Sequence, residues 1–480
     1  MENMNEGEHH LAVSESKSPY GCHTTKGEGE SPRARRRRLL QQLGKVMRAS
    51  LGMCLIGSLY TFPSVLLSDA TRHNTTIYGN TISFDGRQDM ISSLVLLGSL
   101  PGTWLTGFLS MKLGRRLSMM TNGVLGVAGW LGTALLPSAT GILVARCVSG
   151  LAVGGMSVAV NAYVAELSDP EVRGMMSMAL NLAIMFGQLL TVSIGYNARY
   201  FLVALLNTII PTAFIIFLIW MPESPSVLVL RGEEEAGLEV LLELRGRHAD
   251  LKAEVKSYRD MNAASERAWR SLLHPPVLKS LAVISTLFFF SSFSGQLVIT
   301  ANASKIFEEA GTSLDGNLSA IIVMVVQIVA GICGFFLLDK LGRKKVLYIG
   351  FLLISVSLTV MATHIGKTQQ ASASDDGVEM AGGWLPLACL VVSQIGSSLG
   401  VNGVPFLLSQ EYFPTAIRPQ ANSVTLTMWT VATFLVLQLH TTMVKGLTLA
   451  GLYGFYASVS ALAIPFIAFC IRETMGENVG

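Results

Sequence analysis

Charge is what this sequence has least of. Only 14% of its 480 residues are Asp, Glu, Lys or Arg, while half are hydrophobic. Soluble domains average about 25% charged residues, because a water-facing surface is built from them. Their scarcity places the chain in the membrane class before any motif is read. Cysteine is scarce too: positions 22, 54, 147, 333, 389 and 470 are scattered and mostly lie inside apolar runs. That pattern suits small buried thiols and gives neither a disulfide framework nor a metal-ligand spacing. A formal net charge of only +3, without a basic stripe interleaved with aromatics, argues against a nucleic-acid partner. No paired catalytic groups and no phosphate-cradling glycine loop stand out, so an enzyme is not expected, nor a cofactor or a metal.

What is present is a series of apolar runs near the ~20 residues that cross a bilayer. Twelve are read. Six fall near 46–68, 89–111, 117–137, 140–166, 175–195 and 199–221, and six near 277–302, 317–338, 345–364, 384–410, 420–443 and 447–471. An even count puts both ends on one side. Lys112, Arg115, Arg116, Arg173, Lys340, Arg343, Lys344, Lys345 and Arg418 fall in alternate loops on the side of the Arg-rich tail. The positive-inside bias then makes both termini cytoplasmic in a multi-pass membrane protein.

Residues 1–45 are polar, have no apolar signal-peptide core, and read as a disordered cytoplasmic tail. The tail closes on Arg33-Ala34-Arg35-Arg36-Arg37-Arg38, which suits either a topological anchor or contact with anionic lipid headgroups. Asn74-Thr75-Thr76 is a glycosylation acceptor in the first outside loop, so Asn74 is a candidate modification site. Residues 223–276 separate two bundles, 46–222 and 277–471, with a short tail at 472–480. Within the separator, Glu233-Glu234-Glu235 followed by Leu238, Leu241, Leu242 and Arg245, with Gly246 as a stop, predicts a short amphipathic helix on the cytoplasmic face.

The two halves repeat a charged phrase. Lys112-Leu113-Gly114-Arg115-Arg116 returns as Asp339-Lys340-Leu341-Gly342-Arg343-Lys344-Lys345, about half the chain away. Glu166…Pro170…Arg173 returns as Glu411…Pro414…Arg418, with the same step of seven from glutamate to arginine. A looser pair is Pro222-Glu223-Ser224-Pro225 against Arg472-Glu473-Thr474-Met475. Glycine permits the tight turn between helices, and arginine forks onto carboxylates with bonds roughly twice as strong as neutral ones. Such pairs predict a cytoplasmic gate of Arg115, Arg116, Glu166, Arg173, Glu223, Asp339, Arg343, Lys344, Glu411, Arg418 and Glu473 that latches the halves together. The bland alternative is that they mark only topology. Met111 stands where the second copy has Asp339, so a lopsided latch is expected.

In this order, with Arg146…Gly150…Gly154 and terminal Glu473-Thr474-Met475-Gly476, the motifs resemble the sugar porter family of the major facilitator superfamily. Ser50-Leu51-Gly52 and Leu59-Tyr60-Thr61-Phe62-Pro63 resemble its arthropod trehalose-facilitator-like branch. The resemblance runs from residue 46 to the end. It implies an all-α membrane protein with the major facilitator fold: twelve transmembrane helices in two pseudo-symmetric six-helix bundles, with a central cavity and alternating access. The implied partners are a small-molecule substrate, a sugar such as trehalose or a hexose or a related polyol, and the lipid bilayer. A monomer in the plasma membrane is expected.

The pocket departs from the family pattern. Where that pattern has two glutamines and then Ser-Gly-Ile-Asn, this chain reads Ser291-Ser292-Phe293-Ser294-Gly295-Gln296-Leu297. Asn181 replaces a glutamine, Asn402-Gly403-Val404-Pro405-Phe406 replaces Gly-Pro-x-Pro-Trp, and Met428 precedes the retained Trp429. Sugar hydroxyls need amides and hydroxyls that both donate and accept, with aromatic faces beside them. The candidate substrate-binding residues are therefore Asn181, Ser291, Ser292, Gln296, Asn402 and Trp429. The same residue types also glue helices to one another. Proton-coupled relatives carry an Asp within the first helix, and this chain has no carboxylate between Leu51 and Leu67. Facilitated diffusion is expected. A non-sugar organic solute and a transport-deficient sugar sensor are the alternatives.

Overall fold

The computed structural model describes residues 32–473, apart from 74, 85, 170–171, 247–250, 257, 260–270, 303–305, 307–315, 374–383 and 414–416. Asn74, Pro170 and Pro414 therefore lie outside the described residues, as do the side chains of Met111, Arg173 and Asp339. The described part is almost wholly helical, as an apolar medium demands: a backbone without water must bond to itself.

The first half runs α1 (Pro32–Arg72), α2 (Gln88–Leu113), α3 (Arg115–Leu135), α4 (Ala139–Leu167), α5 (Arg173–Gly195), and a sixth crossing made of α6 (Tyr200–Asn207) and α7 (Ile209–Ile219). The connecting helices α8 (Pro225–Leu230) and α9 (Glu234–Arg245) follow, and α9 stops at Gly246 with φ +82°. The second half comprises α10 (Pro275–Phe293), α11 (Gln296–Ala301), α12 (Gly316–Leu341), α13 (Arg343–Ala373), α14 (Leu385–Gly396), a π-type turn at Ser397–Val401, α15 (Val404–Glu411) and α16 (Arg418–Cys470).

Among the described residues, ten stretches are long and apolar enough to cross a membrane. The 21-residue α3 is a further crossing element, though it falls outside those ten. The 53-residue α16 is two crossings joined at Thr448, whose φ of 66° and ψ of 167° break the helix. The twelve expected crossings are thus recovered. Chain direction then defines two faces: one carries the start of α1, α8, α9 and Glu473, and the other carries the α1–α2 connection and Thr448.

One difference from the sequence reading lies at the start. Helix α1 begins at Pro32 rather than near residue 46, because its arginines and leucines are good helix formers and one side of the extension docks on α9 and the α4–α5 connection.

Each half has its own apolar core, one around Phe62, Trp130, Met156 and Phe214, the other around Phe288, Phe351, Leu390 and Tyr453. Within the first half, Gly154 lets α4 meet α2 backbone to backbone: a Cβ there would stand 2.0 Å from the Ser99 carbonyl oxygen. The halves meet away from the terminus face. Leu96 of α2 and Val192 of α5 join the second half's core, and Tyr60 of α1 packs against both.

Candidate functional site

The repeated phrase builds the same device twice. At the end of α2 the chain turns through Gly114 (φ +91°), which leaves the first amides of α3 without helical acceptors. Glu223 takes them: its Oε1 accepts from the Arg115 and Arg116 N–H groups at 2.9 and 3.0 Å. The Arg115 guanidinium turns to Glu166 at the end of α4, 3.3 Å away, and Arg116 Nη2 donates to the Ile219 carbonyl that ends α7 at 2.8 Å.

In the second half the turn is Gly342 (φ +85°), and Glu473 accepts from the Arg343 and Lys344 N–H groups at 3.0 and 3.1 Å. Arg343 reaches Glu411 at 2.9 Å, and Lys344 Nζ donates to the Ala468 carbonyl near the end of α16 at 2.8 Å. An acid at a helix N-terminus and a cation at a helix C-terminus each oppose the helix dipole, so Glu223, Glu473 and the heads of Arg116 and Lys344 act in their favourable sense. Carboxylate caps of this kind contribute about 1 kcal/mol.

These bonds lie within one half each. They staple three helix ends of a single bundle, since the turn glycine brings each Arg over its own bundle's glutamate. The first half adds two contacts: Ser224 Oγ donates to the Glu166 carboxylate, and Tyr163 OH donates to the Pro222 carbonyl at 2.6 Å. Arg418 Nε donates to the Phe413 carbonyl at 3.2 Å, closing the α15–α16 connection on itself.

At the opposite face, hydrogen bonds between described residues cross the halves. Asp89, in the first turn of α2, accepts from the Thr441 N–H at 2.9 Å and from its hydroxyl at 2.7 Å. One turn deeper, Ser93 Oγ donates to Gln438 Oε1 at 2.6 Å. None of these four residues was singled out from the sequence. Period-3.6 spacing of polar residues on α2 (Asp89, Ser93) was the available signal.

The pocket candidates separate into two groups. Asn181 on α5 and Asn402 beside α15 are exposed on the protein surface. Trp429 is half-buried and meets Phe406 edge to face at 5.4 Å. The serines and glutamine are engaged within the second half. Ser291 Oγ donates to the Val401 carbonyl at 2.9 Å, and Ser292 and Thr433 hydroxyls lie 2.9 Å apart. Gln296 is 2% exposed, donates to the Ser294 carbonyl at 3.3 Å and accepts from Ser393 Oγ at 3.4 Å. Asn161 of α4 is a third exposed amide that the sequence reading passed over.

A buried cation of α4, Arg146, lies against the middle of α1. Pro63 has no N–H, which deprives the Leu59 carbonyl of its helical donor. Arg146, fully buried, fills that gap with Nη2 at 2.8 Å, binds the Ile91 carbonyl through Nε at 3.0 Å, and stacks on Phe62 at 5.5 Å. Both of these hydrogen-bond partners are backbone carbonyls. Asp69, near the far end of α1, accepts from Arg199 Nε at 2.9 Å and faces the His73 ring.

Comparison with known proteins places these features. The model described as Sugar (and other) transporter matches residues 46–479. The facilitated trehalose transporter Tret1 of Apis mellifera ligustica is 30% identical over 452 residues, covering 92% of this chain and 87% of that protein. Tret1 of Aedes aegypti is 30% identical over 443 residues, 91% of this chain, and this chain matches only 54% of its length. Among solved structures, the inward open conformation of the xylose transporter XylE from E. coli superposes with a TM-score of 0.74 at 21% identity, over 91% of this chain and 98% of that one. The partially occluded inward open conformation of XylE gives 0.73 at 22%, over 90% and 98%.

Proposed function

Because the chain belongs to the sugar (and other) transporter family, we propose that it is a facilitative carrier for a sugar or related polyol, working by alternating access. The observation that carries this reading is the contrast between the faces: hydrogen bonds that cross the halves at the Thr441 face, and staples confined to each half at the terminus face. A carrier of this kind needs two rigid bodies and contacts between them weak enough to break in every cycle. Likeness in fold to XylE agrees with such a carrier, and the terminus face is the one whose staples leave the halves free to part. With both termini in the cytoplasm and the protein in the plasma membrane, that face is cytoplasmic, Asn74 lies outside the cell as a glycosylation acceptor, and a monomer suffices.

In this reading Asn181, Asn402 and Trp429 line the pathway. Ser291, Ser292 and Gln296 reach the solute only if their own-half bonds exchange. The terminus-face gate consists of Arg115, Arg116, Glu166, Arg173, Glu223, Asp339, Arg343, Lys344, Glu411, Arg418 and Glu473. Glu166, Glu223, Glu411 and Glu473 hold each half's gate segments through Arg115, Arg116, Arg343 and Lys344. Trehalose is favoured among candidate sugars by the relatives' names.

Uniport is supported by α1, which has no carboxylate between Leu51 and Leu67, and by Arg146, whose guanidinium holds backbone carbonyls where a proton relay would need a titratable acid. Uptake of labelled trehalose, hexoses and polyols into proteoliposomes, with and without an imposed pH gradient, tests the reading. Equilibration without accumulation is expected. Accumulation driven by the gradient would overturn uniport, and transport of no sugar would overturn the substrate class in favour of another organic solute or a sensor.

A further inference from the structure

Asp169 lies in the α4–α5 connection, three residues after Glu166, with its side chain 11% exposed. Helix α1 and helix α9 both reach it. Arg38 pairs with Oδ2, while Gln42 Nε2 and Arg245 Nη1 donate to Oδ1 at 3.1 and 3.0 Å. The Asp169 N–H returns to Gln42 Oε1 at 3.4 Å. Gln42, 1% exposed, and Arg38 also share the Leu244 carbonyl of α9 at 2.8 and 3.2 Å. Lys45 adds an ion pair to Glu243 at 2.7 Å.

Arg245 does more than neutralise Asp169. Its Nη2 and Nη1 donate to the carbonyls of Glu166 and Leu167 at 3.1 and 3.4 Å, two of the last groups of α4 that no helical N–H can satisfy. Glu254 takes Nη2 at 3.2 Å. Burial alone would lower the Arg245 pKa, but Glu254 and Asp169 overcome it and hold the guanidinium above its ordinary range. The cation is therefore a permanent fixture of the cluster.

Residues 38, 42 and 45 follow one another at helical spacing on a single face, whereas Arg36, Arg37, Leu40 and Gln41 are exposed. The extension of α1 is thus docked along one side. It grips the segment that bears Glu166 and leads into Arg173, at the gate assigned under the proposed function.

We propose that Asp169 is a positioning residue for the terminus-face gate, through which the extension of α1 and helix α9 hold the α4–α5 connection in place so that the face closes as one rigid surface. All the gripping elements belong to the first half, so the strap travels with that half and does not oppose closure. It removes the freedom that the connection would otherwise lose each time the halves meet, and ordering a loose segment costs free energy at every closure. The proposal rests on the alternating-access reading but on no particular solute.

The test is pulsed electron spin distance measurement between labels on cysteines introduced at Met175 and Gln410, two exposed sites on opposite halves, in full-length protein with Cys22, Cys147, Cys333 and Cys470 replaced by Ser. It is paired with transport kinetics. Asp169→Asn, which sets an amide donor against arginine donors, and Gln42→Leu, which leaves every charge in place, should each broaden the distance distribution, deplete its short-distance component and cut turnover about tenfold with KM within about twofold. Asp169→Glu should restore much of the turnover. A merely structural role would lower the yield of folded protein and leave turnover per folded molecule intact. Unchanged distances and turnover in folded Gln42→Leu would overturn the proposal even if Asp169→Asn does not fold. If wild type carries no sugar, the substrate reading falls while the distance measurement still decides the strap.

Discussion

At the terminus face, Arg115 meets Glu166 and Arg343 meets Glu411, each inside its own bundle; at the opposite face, Asp89 meets Thr441 and Ser93 meets Gln438 across the bundles. The first set is ionic and duplicated, residue for residue, in both halves. The second pairs one carboxylate and one hydroxyl with neutral partners and occurs once. Strong bonds therefore sit where nothing has to part, and weaker ones where the bodies separate. A carrier with the reverse allocation would have soft halves and a seam too costly to open.

The largest expected effects fall on the staples. Glu223→Ala and Glu473→Ala each expose two helix-terminal amides and remove a carboxylate from the positive end of a dipole, a loss of about 1–2 kcal/mol. Melting of the detergent-solubilised protein should drop by a similar amount in both variants. A clear drop for one and none for the other would break the claim that the device is duplicated. Next in size are Gly114→Ala and Gly342→Ala, at about 1 kcal/mol or more. Each forces a side chain into positive φ and sets a Cβ 2.5 or 2.7 Å from the carboxylate of Glu223 or Glu473. These too should appear as lowered melting, with the halves again matched.

Seam variants should behave differently. Asp89→Ala removes the acceptor for two bonds across the halves, so the Thr441 face should open about fivefold more often, while melting stays within about 0.5 kcal/mol of wild type. Reactivity of a cysteine introduced beside Thr441 with an impermeant thiol reagent reads the first quantity. A large fall in melting with no gain in reactivity would show that Asp89 belongs to the fold and not to the seam. Ser93→Ala, which deletes one neutral bond, should give the smallest effect, about twofold in the same assay.

Much of the scaffold was legible in the residues. Charge scarcity, apolar runs near the bilayer length and the repeated glycine turns led to twelve crossings in two halves, because those properties are local to each segment. Helix α9 was legible for the same reason, from Glu234 at its start to Gly246 at its stop. Local signals failed where partners are distant. Nothing in the Arg33–Arg38 run says that Arg38 pairs with Asp169, 131 residues away, so the run read as a free tail when its last member is part of a docked helix. At Ser291, Ser292 and Gln296 the partners were not legible, because whether a buried hydroxyl faces a solute or a neighbouring helix depends on rotation about an axis that composition does not encode.

The sequence by itself determined the material and its repetition: a chain too poor in charge for water, written twice, with glycine, arginine and glutamate at corresponding turns. Only the tertiary structure decided that Arg115 and Arg343 bind glutamates of their own halves, that Arg146 answers the carbonyl freed by Pro63, and that Asp89 joins the halves at the far face. The reason is physical. A charged side chain in a nearly charge-free molecule must find a partner, but several partners of the right sign are always available. Reach, set by how the helices pack, selects among them.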